Sequence, residues 1–242
     1  MGGSDGGFCP QCRKMGILKP KAWIQGGQGK HNKINSFRII GQGNLSMFIN
    51  FKISILKKIV VMGSGYGSNF EAIYQYFKEK PLKILAVISD NPNAFILKRA
   101  ENYNIKSICI NYKELGKEKY NEELLKVLMS FEPFDLIVLA GYLRILPEFI
   151  VNRYFRKIIN IHPSLLPAFK GLNAIERAYK YGVKITGITI HWVNENVDEG
   201  EIIEQACLRI EQGESLESVE RRIHELEHYY YPRVIEKILG LI

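Results

Sequence analysis

From residue 58 onward, short apolar runs alternate with stretches in which apolar residues recur every three or four positions. Runs of four or five apolar residues without polar alternation suit strands buried on both faces, and a period near 3.6 suits helices packed against them. The runs fall at 59–62, 84–88, 107–110, 136–140 and 158–161, and the helical stretches at 69–77, 94–103, 120–131 and 147–154. This repeated strand-then-helix order predicts a parallel sheet built by right-handed crossovers, with ligands held at the carboxyl ends of its strands. Beyond Gly171 the pattern changes: 188–193 and 202–210 are strand-like and flank the polar loop 194–200, which predicts an antiparallel hairpin. A last helix is expected from Ser215, with Leu216, Val219, Ile223, Leu226 and Tyr230 on one apolar stripe and a kink or restart at Pro232. The expected fold class is α/β, an open, mostly parallel twisted sheet with helices on both faces and a C-terminal antiparallel hairpin plus helix.

Charge divides the chain at the same place. Residues 1–57 hold nine Lys or Arg and one acid, whereas residues 58–242 hold twenty-four of each, so the net charge of +8 belongs wholly to the first block. That block is rich in Gly, Lys, Gln and Asn and has no clean period before 47–56, which predicts a basic, mostly disordered extension ahead of a domain at 58–242. The charge-balanced domain offers no basic face for nucleic acid. No apolar stretch nears the roughly 18 residues of a membrane span, and no leader pattern opens the chain. A cytoplasmic setting and small-molecule substrates are therefore expected, without nucleic acid or membrane partners. Cys9 and Cys12 form a lone C-x-x-C with only His31 near, short of a zinc ligand set, and Cys109 and Cys207 stand singly. Neither a disulfide framework nor a metal is expected.

Candidate chemistry sits at the strand ends. Gly63-Ser64-Gly65-Tyr66-Gly67-Ser68-Asn69 follows the first run and opens the first helix, where unpaired N–H groups serve an anion such as a phosphate. Ser68 stands where the dinucleotide fingerprint needs a third Gly. At the end of the fifth run, Asn160-Ile161-His162-Pro163-Ser164-Leu165-Leu166-Pro167 places an amide and an imidazole on one side of a strand. An amide N–H can hold an oxyanion and an imidazole can move a proton, although both side chains could equally satisfy backbone groups in a proline-stiffened turn. In the hairpin loop, which Thr189 and His191 precede, Asp198 is the acid chosen to favour a charged imidazolium at His162. Leu143-Arg144-Ile145-Leu146 follows the fourth run, where its backbone could bond a planar heterocycle. Glu227-His228 lies on the last helix, and His228 reads as a packing residue.

Taken together, Ser64-Gly65-Tyr66-Gly67-Ser68-Asn69, Leu143 to Leu146, Asn160 to Pro167, Val197-Asp198-Glu199-Gly200 and Glu227-His228 with Tyr231-Pro232 resemble the phosphoribosylglycinamide formyltransferase family of folate-dependent enzymes. Order and approximate spacing hold from Lys58 to the C-terminus. The resemblance implies transfer of a formyl group from the co-substrate 10-formyltetrahydrofolate to the amine of glycinamide ribonucleotide, in de novo purine biosynthesis. It implies catalysis by Asn160, His162 and Asp198, with the substrate phosphate on Gly67, Ser68 and Asn69 and its amine or ribose at Glu227. Folate would lie between Leu143, Arg144, Ile145 and Leu146 and the loop Asn194, Glu195, Asn196, Val197 and Asp198, its formyl carbon at Asn160. Lys117 would take a place usually given to an Arg that meets an anionic group. A cis Leu166–Pro167 bond and a monomer or homodimer are also expected.

Two residues depart from the family: Tyr66 stands where it usually has Asn, and Glu199 where it often has a second Gly. Asp198-Glu199-Gly200, Ala168-Phe169 and Gly182-Val183-Lys184 are also similar to formyltetrahydrofolate deformylase, so a hydrolase of the same donor is the alternative enzyme. Its usual N-terminal βαββαβ domain is not visible here, and a methionyl-tRNA formyltransferase would carry a further domain past Ile242. A third alternative is a non-catalytic nucleotide-binding module with Asp90 placed to hold a ribose.

Overall fold

In the computed structural model, which describes residues 56–241, strands β1 (Lys57–Met62), β2 (Leu82–Ser89), β3 (Lys106–Cys109), β4 (Leu136–Leu139) and β5 (Ile158–His162) run parallel. Strands β6 (Ile185–Trp192) and β7 (Ile202–Arg209) continue the sheet antiparallel, giving the order β3-β2-β1-β4-β5-β6-β7. Helices α1 (Ser68–Phe77), α2 (Phe95–Asn102), α3 (Tyr112–Ser130), α4 (Glu148–Arg153), α5 (Ala174–Tyr181) and α6 (Leu216–Leu239) complete the described elements. The expected open, mostly parallel sheet with its antiparallel hairpin is thus present. The basic extension and the Cys9–Cys12 pair lie outside the described residues.

Alternation along the strands builds two apolar layers. Ile59 and Val61 of β1 join Phe70, Ile73, Val219, Ile223 and Tyr231 on one face, beneath α1, α2 and α6. Val60 and Met62 join Tyr120, Leu124, Leu128 and Ile150 on the other, beneath α3 and α4. Because successive side chains leave a strand on opposite faces, a run such as Ile59–Met62 has to be apolar throughout.

The strand order turns back on either side of β1, and the crevice outside the ends of β1 and β4 is where such sheets hold ligands. The turn after β1 and the segment after β4 meet there. The Ser64 N–H donates to Gly141 O at 3.0 Å, and Ser64 Oγ accepts from the Leu143 N–H at 2.9 Å.

Three elements differ from expectation. Helix α3 starts at Tyr112 rather than at 120, because the Asn111 side chain caps its first turn by accepting from Lys113 N–H, and the chain breaks from helical geometry at Gly116. Helix α5 was not foreseen; its buried side is made by the small residues Ala174 and Ala178, which carry little hydrophobic signal. Helix α6 runs unbroken through Pro232 with no restart. Its most buried line is Val219, Ile223, Glu227, Tyr231 and Ile235, with Leu226 and Tyr230 only partly buried beside it. A charged residue in that line hid the true centre of the stripe. The Leu166–Pro167 bond is cis as expected, and Glu132–Pro133 is cis as well. Among the described residues no helix is long and apolar enough to cross a membrane.

Tyr231 pins α6 to the sheet ends that carry the crevice: its hydroxyl, fully buried, lies 2.9 Å from Leu139 O and 3.2 Å from Ile159 O. Tyr231→Phe should cost about 1–2 kcal/mol, which calorimetry would register as a fall in Tm of about 2–4 °C per kcal/mol. An unchanged Tm would show that the hydroxyl contributes nothing to this join.

Candidate active site

The register of β5 against β6 assembles the site. Asn160 is opposite His191 and His162 is opposite Thr189, so the two side chains expected from the fifth run share a face with an imidazole from the hairpin. His191 is the residue that motif reading passed over; its signal was the two-residue spacing from Thr189 on a strand that must pair with β5. His191 Nδ1 is 2.9 Å from the Trp192 carbonyl and therefore carries a proton. Its Nε2 is 3.3 Å from Asn160 Nδ2 and 3.6 Å from Asp198 Oδ1. A neutral ring accepts the Asn160 N–H there, whereas a protonated ring donates to Asp198.

Asp198 is the hub. Its Oδ2 accepts from the Gly171 N–H at 2.8 Å and lies 3.3 Å from His162 Nδ1, while Oδ1 faces His191. The residue holds a left-handed backbone (φ 55°), a conformation Asp tolerates better than bulkier residues. Gly200, two positions on, is required by packing: a Cβ there would lie 1.6 Å from Trp192 O. Burial opposes the Asp198 charge, but the contacts from His191, the Gly171 N–H and His162 outweigh it and hold the carboxyl below its ordinary value. His162 is buried, and its Nε2 donates to the Phe169 carbonyl at 2.9 Å, so both ring nitrogens face acceptors.

These groups open on a cleft of about 530 Å³. Leu143, Arg144, Ile145 and Leu146 line one wall and the loop 194–198 another, with Asn160 and His162 between them. Leu143 and Ile145 are 60% and 68% exposed, an apolar rim suited to a flat heterocycle. Arg144 Nε donates to Asp90 Oδ2 at 2.6 Å and the guanidinium lies over Tyr112; the Asp90 side chain is 1% exposed and is not part of the cleft lining, so it is not presented to a ribose, although its Oδ1 has no partner among the described residues. Asn69, His224 and Glu227 also line the cleft. Buried Glu227 accepts from Asn69 Nδ2 at 3.0 Å and from His224 Nδ1 at 2.9 Å, which raises the His224 imidazole against the effect of its burial. His228 is pushed down by burial and packs near His224, with 6.4 Å between ring centres. Gly67 and Ser68 stand half-buried beside Asn69, and among the described residues the backbone N–H groups of all three have no acceptor. Lys117 is exposed just past the break at Gly116 and is not among the residues lining the cleft. Glu199 pairs with Lys170 at 2.7 Å on the surface. Among the described residues no cluster of His, Cys, Asp and Glu is arranged to hold a metal ion.

Comparison with known proteins bears on this geometry. Residues 57–235 match the family model for formyl transferase. Phosphoribosylglycinamide formyltransferase of Bacillus subtilis is 43% identical over 188 residues, covering 77% of this chain and 96% of that protein. The enzyme of the same name from Haemophilus influenzae is 39% identical, covering 75% of this chain and 86% of its own. Among solved structures, glycinamide ribonucleotide transformylase 1 from Geobacillus kaustophilus superposes with a TM-score of 0.73 at 39% identity, over 76% of this chain and all of that one.

The depressed carboxyl of Asp198 has a direct readout. Followed by NMR of its side-chain carbon, Asp198 should titrate with a midpoint below the ordinary value of 3.8. Its contribution to folding stability is then complete above the unfolded-state value and is lost as pH falls through the lower folded one. A midpoint above 3.8 would mean that burial outweighs the contacts from His191, Gly171 and His162.

Proposed function

The chain belongs to the formyl transferase family, and from that premise we propose how its side chains divide the work. Its reaction moves a formyl group from 10-formyltetrahydrofolate, a co-substrate, to the amine of glycinamide ribonucleotide in purine biosynthesis. The observation that carries the assignment of roles is the cluster of Asn160, His162, His191 and Asp198 opening on a cleft that Leu143, Ile145 and Glu227 also line.

In this reading the substrate amine attacks the formyl carbon, whose carbonyl oxygen becomes an oxyanion; the bond from that carbon to N10 of the folate then breaks, N10 gains a proton and the amine loses one. Asn160 donates an amide N–H to the oxyanion. His162 stands beside the same oxygen with its Nδ1 held against the Asp198 carboxylate, whose charge is favoured by its contacts. For His162 Nε2 to deliver the proton, it has to exchange the Phe169 carbonyl for the reacting group or a water. When its ring is neutral, His191 Nε2 accepts one N–H of the Asn160 amide and leaves the other for the oxyanion.

The remaining contacts follow from polarity. The free N–H groups of Gly67, Ser68 and Asn69 take the phosphate, supported by the positive end of α1. Glu227 takes the amine or the ribose. The backbone of Leu143 to Leu146 reads the folate heterocycle, with Arg144 set by Asp90, and the loop from Asn194 through Glu195, Asn196 and Val197 to Asp198 closes over it. Lys117 has the weakest support, lying exposed and away from the cleft lining. The activity is assigned to residues 58–242, supported by the span of the family match. We place the protein in the cytoplasm as a monomer or homodimer acting on small molecules, without nucleic acid or membrane partners.

Supplied with 10-formyltetrahydrofolate, the purified protein should release folate product only when glycinamide ribonucleotide is present; formate formed without it would identify a hydrolase instead. Asn160→Ala should lower kcat by roughly 10²–10³-fold, and His162→Ala by roughly 10²–10⁴-fold, each with an unchanged circular dichroism spectrum. Full turnover by either variant would remove that residue from the mechanism.

A further inference from the structure

Glycine-rich turns are easily distorted, so a turn that reads an anion through its N–H groups works best when its carbonyls are held. Here three consecutive carbonyls are held by the segment after β2. Ser64 O accepts from Asn91 Nδ2 at 3.2 Å, Gly65 O from the Ile96 N–H at 3.1 Å and Tyr66 O from Arg99 Nε at 3.0 Å. The Ile96 side chain also fills the space beside Gly67, where a Cβ would come within 2.7 Å of it.

Arg99 is the most heavily committed of the three. Its side chain is only 12% exposed and ion-pairs with Glu71 on the first turn of α1. The guanidinium carbon lies 4.4 Å from the centre of the Tyr66 ring and 5.1 Å from that of Phe95, and the two rings stack at 5.1 Å with 11° between their planes. One planar group thus binds the turn's last carbonyl before Gly67, the helix that follows and the side chain of Tyr66. A guanidinium does all three because its N–H groups lie in a plane whose faces remain free to stack.

We propose that Arg99 is a positioning residue for the ribonucleotide phosphate, acting through the Tyr66 carbonyl and Glu71 to hold the N–H groups of Gly67, Ser68 and Asn69 in their receptive arrangement. Tyr66, standing where the family usually has Asn, supplies the ring on which that guanidinium rests. The proposal rests on the phosphate reading of this turn. Its charge is already paired with Glu71, so the placement of the turn is the effect to measure.

The test is steady-state kinetics of the full chain with Arg99→Met, Arg99→Lys and Tyr66→Leu, with Tm recorded for each. Arg99→Met should raise KM for glycinamide ribonucleotide about tenfold, the worth of one charge-assisted hydrogen bond, while kcat and KM for 10-formyltetrahydrofolate change less than about twofold. Arg99→Lys should not restore it, since an ammonium cannot bond the carbonyl and stack on two rings together. Tyr66→Leu, which keeps the carbonyl bond, should raise the same KM about threefold. An unchanged KM in Arg99→Met, full rescue by Lys, or equal losses for both substrates would each overturn the proposal. If neither Arg99 variant folds, an unchanged KM in Tyr66→Leu overturns it alone. Absence of ribonucleotide-dependent turnover in the unaltered protein would instead overturn the functional reading beneath it.

Discussion

The buried carboxylate of Asp198 is the constraint on which the rest of the site depends. A charge with only 9% of its side chain exposed is costly unless partnered, and its partners come from three places in the chain: His162 at the end of β5, the Gly171 N–H beyond it and His191 on β6. Each partner fixes something else. His162 is held with its second nitrogen on the Phe169 carbonyl, and His191 is held where it meets the Asn160 amide. The loop that delivers Asp198 needs a left-handed residue at 198 and no side chain at 200.

The sheet supplies what the loop cannot. Parallel strands end on one edge, so the turns after β1, β4 and β5 all open onto the same crevice although they are far apart in sequence. The chain then reverses direction between β5 and β6, and in the resulting antiparallel register β6 lays His191 beside Asn160. Tyr231 and Glu227 bring α6 to the same edge, one bonding the ends of β4 and β5 and the other facing the cleft.

Much of this was legible because parallel strands buried on both faces leave unbroken apolar runs, and β1, β2, β4 and β5 were each marked by one. Asn160, His162 and Asp198 were legible as residue types at strand ends and in a polar loop, and they do converge. What escaped notice had a physical reason in each case. The helix at Ala174–Tyr181 buries alanines, the start of α3 depends on a side-chain cap, and the centre of the α6 stripe is occupied by a carboxylate. His191 was visible only as a residue on the strand entering the loop; what places it beside Asn160 is the register of β5 against β6, which no local motif encodes.

Glu227 shows why the hidden centre of that stripe matters. A carboxylate between Ile223 and Tyr231 on a buried helix face gives up the stabilisation of an apolar side chain and needs two donors, Asn69 Nδ2 and His224 Nδ1, to hold it. Packing alone would favour a leucine. Within this corner Glu227 lines the cleft as an acceptor, beside the free N–H donors of the turn after β1. Acceptors suit an amine or a ribose hydroxyl and donors suit a phosphate, so a ligand bearing both has one orientation in which every polar group is met. On the proposed reading that orientation sends the amine toward Asn160 and His162, and the stability lost at position 227 is the cost of setting it.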